Sequence, residues 1–253
     1  MMQEKWKQWM RRSDCILGIS ADQGGSWLSP IRENGPQPSV TPAADARSWA
    51  IGAGLLKPEG METLFEFPAG STHKCGTALD LRGSTDSLTI CIDFEVDPAP
   101  ETMTHRWWPI LFAQGFPHAG YAYSYSAGVW LRKDDAEKSW ECYGSFANGV
   151  TQCSASAKIA DPGGGRHQII VIRDMEKMTI QVYYDHQKVV EKVNENLVLP
   201  LTSEINASGN PEMGTSVGGW IQSANLAYES AFRVEAVMVF DRAFSAEEVA
   251  ALY

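Results

Sequence analysis

Three carboxylates alternate along Asp93-Phe94-Glu95-Val96-Asp97. Successive side chains of an extended chain point to opposite faces, so all three share one face of a strand. Two carboxylates so placed can divide the work of glycoside hydrolysis, one as acid and one as nucleophile. The interleaved Ile90, Ile92, Phe94 and Val96 make the other face apolar, and an ordinary half-buried strand with a solvated acidic side shows this same pattern. Other catalytic constellations are absent. The five histidines, His73, His105, His118, His167 and His186, are scattered, with no Gly-x-Ser-x-Gly elbow and no His-Glu-x-x-His pair. Asp161-Pro162-Gly163-Gly164-Gly165 is followed by a strand pattern where a phosphate cradle needs a helix, so it reads as a loop. Asp134, Asp135, Asp161 and Asp185 fall in or beside predicted loops and could give oxygen ligands to calcium, although acidic loop residues are usually just solvated. No other cofactor is called for.

Recognition by stacking is the second chemistry the residues offer. Tyr121, Tyr123 and Tyr125 alternate with Ala122, Ser124 and Ser126, which makes a tyrosine stripe on one strand face, and Trp107-Trp108 lies just upstream in a stretch rich in Pro and His. Sugars lay their C–H faces on flat rings, and tyrosine hydroxyls add hydrogen bonds at low entropic cost. These five residues are the candidate contacts for a glycan or a protein surface. The competing expectation puts the tyrosines over a core between two sheets, with their hydroxyls at its rim. Trp130, Trp140 and Trp220 are expected in the core.

The elements that must hold these residues are short strands. From residue 48 onward, apolar runs are separated by turn chemistry every 8–12 residues or so, the signature of an antiparallel sandwich. Strands are predicted at 48–54, 62–67, 77–82, 87–97, 107–114, 120–132, 139–146, 150–157, 167–173, 177–184, 188–193, 214–221 and 231–240. Asp174-Met175-Glu176 closes one hairpin, and Asp185-His186 turns the chain into the next strand. The end of the chain reads as a helix: Ser245 and Glu248 form a capping box, with Phe244 able to staple onto Val249.

The first 45 residues read differently. Met2, Trp6, Trp9 and Met10 fall at helical spacing on one face, an amphipathic pattern. Its apolar side needs cover, from another copy or a larger assembly, from an anionic membrane, or from the chain's own sandwich. Residues 20–45, with Gly24-Gly25, Gly35-Pro36 and Thr41-Pro42, read as an extended arm long enough to reach a neighbour, so a homo-oligomer is also compatible. The division expected is thus an arm at 1–45 and a domain at 46–253.

Charge narrows the partners. The formal net charge is -10, which argues against a surface that tracks phosphates, and nucleic acid is excluded as partner. Lys5, Lys7, Arg11 and Arg12 outweigh Glu4, so the N-terminus is a separate, basic object. Cys15-Ile16-Leu17-Gly18-Ile19 is too short for the apolar region of an export signal, and no apolar run approaches the ~20 residues of a transmembrane segment. Cysteines at 15, 75, 91, 142 and 153 have no metal-type spacing, and the odd number leaves at least one thiol unpaired. Buried free thiols are the expectation, with Cys142 and Cys153 across a hairpin as the alternative.

The stretch Phe232-Arg233-Val234-Glu235-Ala236-Val237-Met238-Val239-Phe240-Asp241-Arg242-Ala243-Phe244-Ser245-Ala246-Glu247-Glu248-Val249 resembles the closing strand and helix of concanavalin A-like domains of the laminin-G-like kind. Arg166-His167-Gln168-Ile169-Ile170-Val171-Ile172 through Val182-Tyr183-Tyr184-Asp185-His186-Gln187-Lys188 is similar to that family's Trp-His-His-Val-Ala-Val-Thr segment and its Leu-Tyr-Val-Asp-Gly-Lys hairpin. Arg166 and His186 replace the usual Trp and Gly. The resemblance covers about residues 46–253 and implies an all-β jelly-roll of two stacked antiparallel sheets. In relatives the edge loops bind glycans, proteins or calcium. Relatives also include laminarinase-type glucanases, whose catalytic strand reads Glu-x-Asp-x-(x)-Glu; Asp93-Phe94-Glu95-Val96-Asp97 has the residue types in the wrong order. The expected role is therefore a lectin-like module without catalysis, carried by its N-terminal arm on a larger assembly such as a phage virion. A glycan-cleaving enzyme using Asp93, Glu95 or Asp97 is the alternative, and a decoration protein without ligand the second. A fold of this kind does not choose among them.

Overall fold

The computed structural model describes residues 2–10, 12–20, 46–48, 66–68, 81, 84–96, 110–115, 125–134, 139–148, 151–201, 215–217, 219–223, 226–229 and 232–252. Two antiparallel sheets dominate. The larger has six strands in the order β1 (Cys15–Ser20), β15 (Phe232–Phe240), β4 (Leu88–Val96), β9 (Gly165–Asp174), β10 (Thr179–Tyr184) and β11 (Gln187–Val193). The smaller has five: β12 (Thr215–Val217), β5 (Ile110–Gly115), β6 (Tyr125–Asp134), β7 (Ser139–Ala147) and β8 (Gln152–Ile159). Two short pairs accompany them, β2 (Ala46–Ser48) with β3 (Glu66–Pro68), and β13 (Gly219–Ser223) with β14 (Leu226–Glu229). Helices α1 (Met2–Met10) and α2 (Ala246–Ala251) and a 3-10 turn at Glu195–Val198 complete the described elements. The all-β sandwich expected from the sequence is present.

The core between the sheets follows the alternation of the strands. Ile90, Ile92 and Phe94 of β4, Ile169 and Val171 of β9 and Ile180 and Val182 of β10 meet Ala127, Val129 and Leu131 of β6 and Trp140, Cys142 and Phe146 of β7. Trp140 is thus in the core, as expected. Gly144 sets the closeness of the sheets: a Cβ built there would lie 2.4 Å from Cγ1 of Val171, so any larger residue pushes the layers apart. At one end of this core Arg173, with no exposed surface, donates to the carbonyls of Ser84, Asp86, Leu197 and Leu199 at 2.8–3.3 Å and so ties a loop and the 3-10 turn to β9. Burial without a carboxylate partner pushes its guanidinium down to about 10.

A second apolar cluster lies on the outer side of the six-stranded sheet. Cys91, Ile170, Ile172, Tyr183, Ala236, Met238 and Phe240 are covered there by Trp6 and Met10 of α1 and by Phe244, Val249 and Leu252 around α2. The sheet is consequently buried on both sides, which is why Ile169 to Ile172 can be an unbroken apolar run. The capping box on α2 is formed as expected, with Ser245 accepting from the backbone of Glu248 and the Glu248 carboxylate accepting from that of Ser245. Beside it an ionic corner joins both ends of the chain: Arg242 pairs with Asp14 and Glu248, and Arg12 with Asp14.

Two expectations need revision. The segment Cys15–Ser20, weighed above only as an inadequate export signal, is an edge strand: Leu17 pairs with Val239 and Ile19 with Val237. The sandwich therefore begins well before residue 46, while the arm expected after Ser20 lies outside the described residues. The hairpin expected to turn on Asp174-Met175-Glu176 pairs Asp174 with Thr179 and turns through Met178, whose φ is 54°. The expected buried thiols are seen instead of the alternative bridge: Cys142 pairs in register with Ala157 and Cys153 with Phe146, so the two do not face one another, and both, like Cys15 and Cys91, are buried outside any disulfide. Burial pushes the Cys142 thiol up to about 12, which keeps it protonated and inert.

Candidate functional site

The outer side of the five-stranded sheet has a different chemistry. Even-numbered residues of β6 and β8 and odd-numbered residues of β7 lie opposite the inter-sheet core, and strand register sets them in rows: Trp130, Tyr143 and Ser156; Gly128, Ser145 and Ser154; Glu141 beside Lys158. The indole of Trp130 folds back over Gly128, where a Cβ would come within 2.2 Å of Cη2, so only glycine leaves room for the ring. Trp130 meets Tyr143 edge to face, at 5.2 Å between centroids and 77° between planes, a favoured geometry for aromatic pairs. Gln152 Nε2 donates to the Tyr143 hydroxyl at 2.9 Å. Burial raises the Tyr143 hydroxyl, a hydrogen bond with Ser154 draws it back, and Glu141 adds to the rise, so the phenol stays neutral and can both donate and accept. An amide, a phenol and two serine hydroxyls thus surround one ring pair.

The sequence-predicted residues are distributed as follows. Tyr125 opens β6, the strand that carries Trp130; its side chain, and Tyr121, Tyr123, Trp107 and Trp108 entirely, lie outside the described residues. Trp130 is buried, as expected, but on the outer side of its sheet. Trp6 is 2% and Met10 0% exposed against the chain's own sheet, and Trp9 packs on Phe244 at 5.1 Å. Of the covers weighed for this helix, the sandwich itself is the one seen; the side chain of Met2 is not described.

The acidic strand is corrected in one respect. Ile90, Ile92 and Phe94 do face the core, yet the other side is not solvated, because Cys91 and Asp93 are 0% and 1% exposed. Asp93 accepts two hydrogen bonds from Arg166, at 2.7 and 2.6 Å. Burial pushes its carboxyl up and the guanidinium pulls it back. A carboxylate 1% exposed and clamped through both oxygens is not open to a sugar as it stands. Asp97 and the side chain of Glu95 lie outside the described residues.

Of the acids expected beside loops, Asp161 and Asp185 hold backbone and His167, while Asp135 and the side chain of Asp134 lie outside the described residues. Asp185 accepts from the backbone of Gln168 at 2.9 Å and meets His167 Nδ1 at 2.8 Å, while His167 Nε2 lies 2.9 Å from the carbonyl of Pro162. Asp161 accepts from the backbone of Gly163 at 2.9 Å. Among the described residues no group of three or more His, Cys, Asp or Glu is placed to hold a metal ion, and no helix is long and apolar enough to cross a membrane.

The sandwich is shared with solved carbohydrate-binding domains. The CBM40 of the Ruminococcus gnavus IT-sialidase superposes with a TM-score of 0.52 at 14% identity, over 67% of this chain and 84% of that one. The same domain bound to alpha2,6 sialyllactose gives 0.51 at 14% identity, over 66% and 84%. The Streptococcus pneumoniae sialidase NanB gives 0.50 at 16% identity over 66% of this chain, which spans 24% of the NanB chain. At such identities the likeness is one of fold, an antiparallel β-sandwich. No protein-family model matches the sequence, nor does any curated protein.

Proposed function

We propose that the protein is a non-catalytic glycan-binding module whose ligand lies on the outer face of the five-stranded sheet. The observation that carries this is the neutral polar ring around the Trp130–Tyr143 pair, with Gln152 and Ser154 hydrogen-bonded to the phenol. Tyr143, half-buried on this face and backed by the buried Trp130, offers aromatic surface beside a few fixed donors and acceptors, which is what a pyranose needs. The sialyllactose complexes of a domain with this fold support the class of ligand. Tyr125 belongs to the same strand as Trp130, so the stripe Tyr121, Tyr123 and Tyr125, with Trp107 and Trp108, is a natural extension of the contact surface. The hydrolase alternative loses Asp93 to Arg166. Membership of the laminin-G-like kind, and display on a larger assembly such as a phage virion, rest on the sequence alone.

Calorimetric titration against a panel of oligosaccharides tests the reading. Binding weakened at least about tenfold by Tyr143→Ala, a loss of roughly 1.4 kcal/mol, is the expected result. Unchanged affinity in that variant would move the site elsewhere, to the upstream stripe if Tyr123→Ala abolishes binding. Release of reducing sugar that disappears in Glu95→Gln would replace the binding reading with an enzyme.

A further inference from the structure

Strand β8 ends at Ile159 in the five-stranded sheet and β9 opens at Gly165 in the six-stranded one, so residues 160–164 are a crossover between the two layers. The crossover bends through two glycines of positive φ, Gly163 at 61° and Gly165 at 141°, and Asp161 accepts there from the backbone of Gly163. Strands β10 and β11 are joined by Asp185 and His186 alone, since Tyr184 pairs with Gln187. Both turn residues have positive φ, 44° and 62°, as a two-residue hairpin turn requires, yet neither is glycine. The Asp185 carboxylate holds this turn by reaching back to the backbone N–H of Gln168 and to His167.

His167 connects the crossover to the turn. Its Nδ1 lies 2.8 Å from Asp185 Oδ2, and its Nε2 lies 2.9 Å from the carbonyl of Pro162. Both neighbours are acceptors. A neutral imidazole carries one N–H and can donate to one of them, whereas an imidazolium donates to both. An exposed carboxyl gives up its proton before an imidazolium does, and Asp185 is 39% exposed, so the shared proton sits on the ring. We infer that His167 is a proton-dependent pin: with both nitrogens protonated it fastens the crossover to the turn, and on losing one proton it keeps Asp185 and releases Pro162. The bond to Asp185 survives because a charged acceptor makes the stronger bond. The Pro162 carbonyl is then left facing a lone pair. This device does not depend on what the five-stranded sheet binds.

The described titratable groups around the ring come from four elements. Asp161 belongs to the crossover, and Asp185 and His186 to the turn. Tyr184 of β10 stacks on the ring at 5.5 Å between centroids. Burial pushes its phenol up, with Asp185, Cys142 of β7 and Asp161 adding to the rise, so it stays neutral. Burial also keeps the Cys142 thiol protonated. From β4 the ring is flanked by the apolar Phe94, at 6.0 Å. Asp93 of β4 feels Asp185 but lies on the other side of the sheet, clamped by Arg166. Of these residue types, histidine is the one that ordinarily changes charge near neutral pH.

The experiment follows the full chain from about pH 5 to about pH 9, across the range where histidine ordinarily titrates. NMR shifts of the ring nitrogens report how many protons His167 carries, with His167→Gln supplying the assignment. Hydrogen exchange read by mass spectrometry reports opening of the crossover, each rate divided by that of the unfolded peptide at the same pH. As the ring passes from two protons to one, protection over residues 160–166 should fall about tenfold, the loss of one hydrogen bond from a charged donor, while that over 183–188 changes less than about twofold. His167→Gln has donors at one end of its amide only and should leave the crossover open at every pH. Asp185→Asn should do the reverse. Its amide N–H can donate to Nδ1, so a neutral ring donates from Nε2 to Pro162 and the crossover stays protected throughout; asparagine also tolerates the positive φ of the turn. The wild-type titration is decisive by itself if either variant fails to fold, which thermal unfolding reports. Crossover protection indifferent to the His167 proton, a ring whose proton count never changes over this range, or an Asp185→Asn crossover that still opens with pH would each overturn the pin.

Discussion

The two sheets present opposite solutions to the same problem. Each has an inner side in the common core and an outer side to dispose of. On the six-stranded sheet the outer side is mostly apolar, Cys91, Ile170, Ile172, Met238 and Phe240 beside the buried polar Thr89, Asp93, Gln168 and Gln181, and the chain covers it with its own two ends. On the five-stranded sheet the outer positions set by register include Gly128, Trp130, Arg132, Glu141, Tyr143, Ser145, Gln152, Ser154, Ser156 and Lys158, of which Trp130 and Ser145 are buried, with neither described helix among their partners. The difference is written in local pattern. Strand β9 is buried at seven consecutive positions, whereas most of β7 and β8 alternates between buried and half-buried residues. A face that needs a helix to keep it from water is a structural face; a face that keeps hydroxyls and an amide within reach of solvent is one on which a polar ligand can compete with water.

The largest test of this contrast is Trp6→Ala. Truncating a fully buried tryptophan costs about 3–5 kcal/mol through lost burial and the cavity left behind, and here the cost is capped by the work of lifting α1 off the sheet. We expect a loss of about 3 kcal/mol in urea unfolding, together with protease cleavage near residue 11, while glycan binding is retained. A loss below about 1 kcal/mol would mean that α1 contributes little as a cover and that the two faces are not so different.

Acid should act on the covered face through its ionic corner. Burial opposes the charge of Asp14, but hydrogen bonds from Arg12 and Arg242 outweigh it and hold the carboxyl at about 2; the hydrogen bond from Arg242 likewise lowers Glu248. A carboxyl depressed on folding binds fewer protons folded than unfolded. Its stabilisation is complete above the unfolded value of about 4 and is lost as pH falls from there towards 2. For Asp14 that amounts to about 2 kcal/mol. Asp14→Asn should therefore cost on that order at pH 6 and much less near pH 2, measured by urea unfolding at both. A variant penalty that stays constant with pH would mean that the corner is packing and not charge.

How much of this was legible depended on how local each signal was. The α2 capping box lies within four residues and was readable from Ser245 and Glu248 alone. The sandwich was readable from turn spacing. Strand β1 was not, because Cys15 to Ser20 has neither alternation nor length, and only its pairing with Val237 to Phe240 at the far end of the chain makes it a strand. The candidate face was missed for the same reason: Trp130, Tyr143, Gln152 and Ser154 come one or two to a strand, and only register gathers them. The tyrosine stripe at 121–125 drew attention because its signal lies within a single run. Asp93 was read correctly as a strand residue and wrongly as a candidate with a solvated alternative. Its actual partner, Arg166, stands where the laminin-G-like pattern it resembles has tryptophan, and a buried acid paired with an arginine gives no mark in either local window.

The smallest expected effect runs opposite in sign to the others. Gln168 sits on the covered side of β9, paired in register with Asp93, and is 3% exposed, yet neither atom of its amide has a hydrogen-bond partner. An orphaned buried amide costs about 1–3 kcal/mol, and an apolar residue of similar volume removes that cost. Gln168→Leu is thus expected to stabilise by about 1 kcal/mol, which for a chain of this size is a rise of roughly 2–4 °C in Tm, without altering glycan affinity. The covered face would then hold one fewer buried polar group without a partner. A loss of stability in Gln168→Leu would show instead that the amide holds an ordered water beside the Asp93–Arg166 pair, and the sharp division between a dry face and a polar one would fail at that corner.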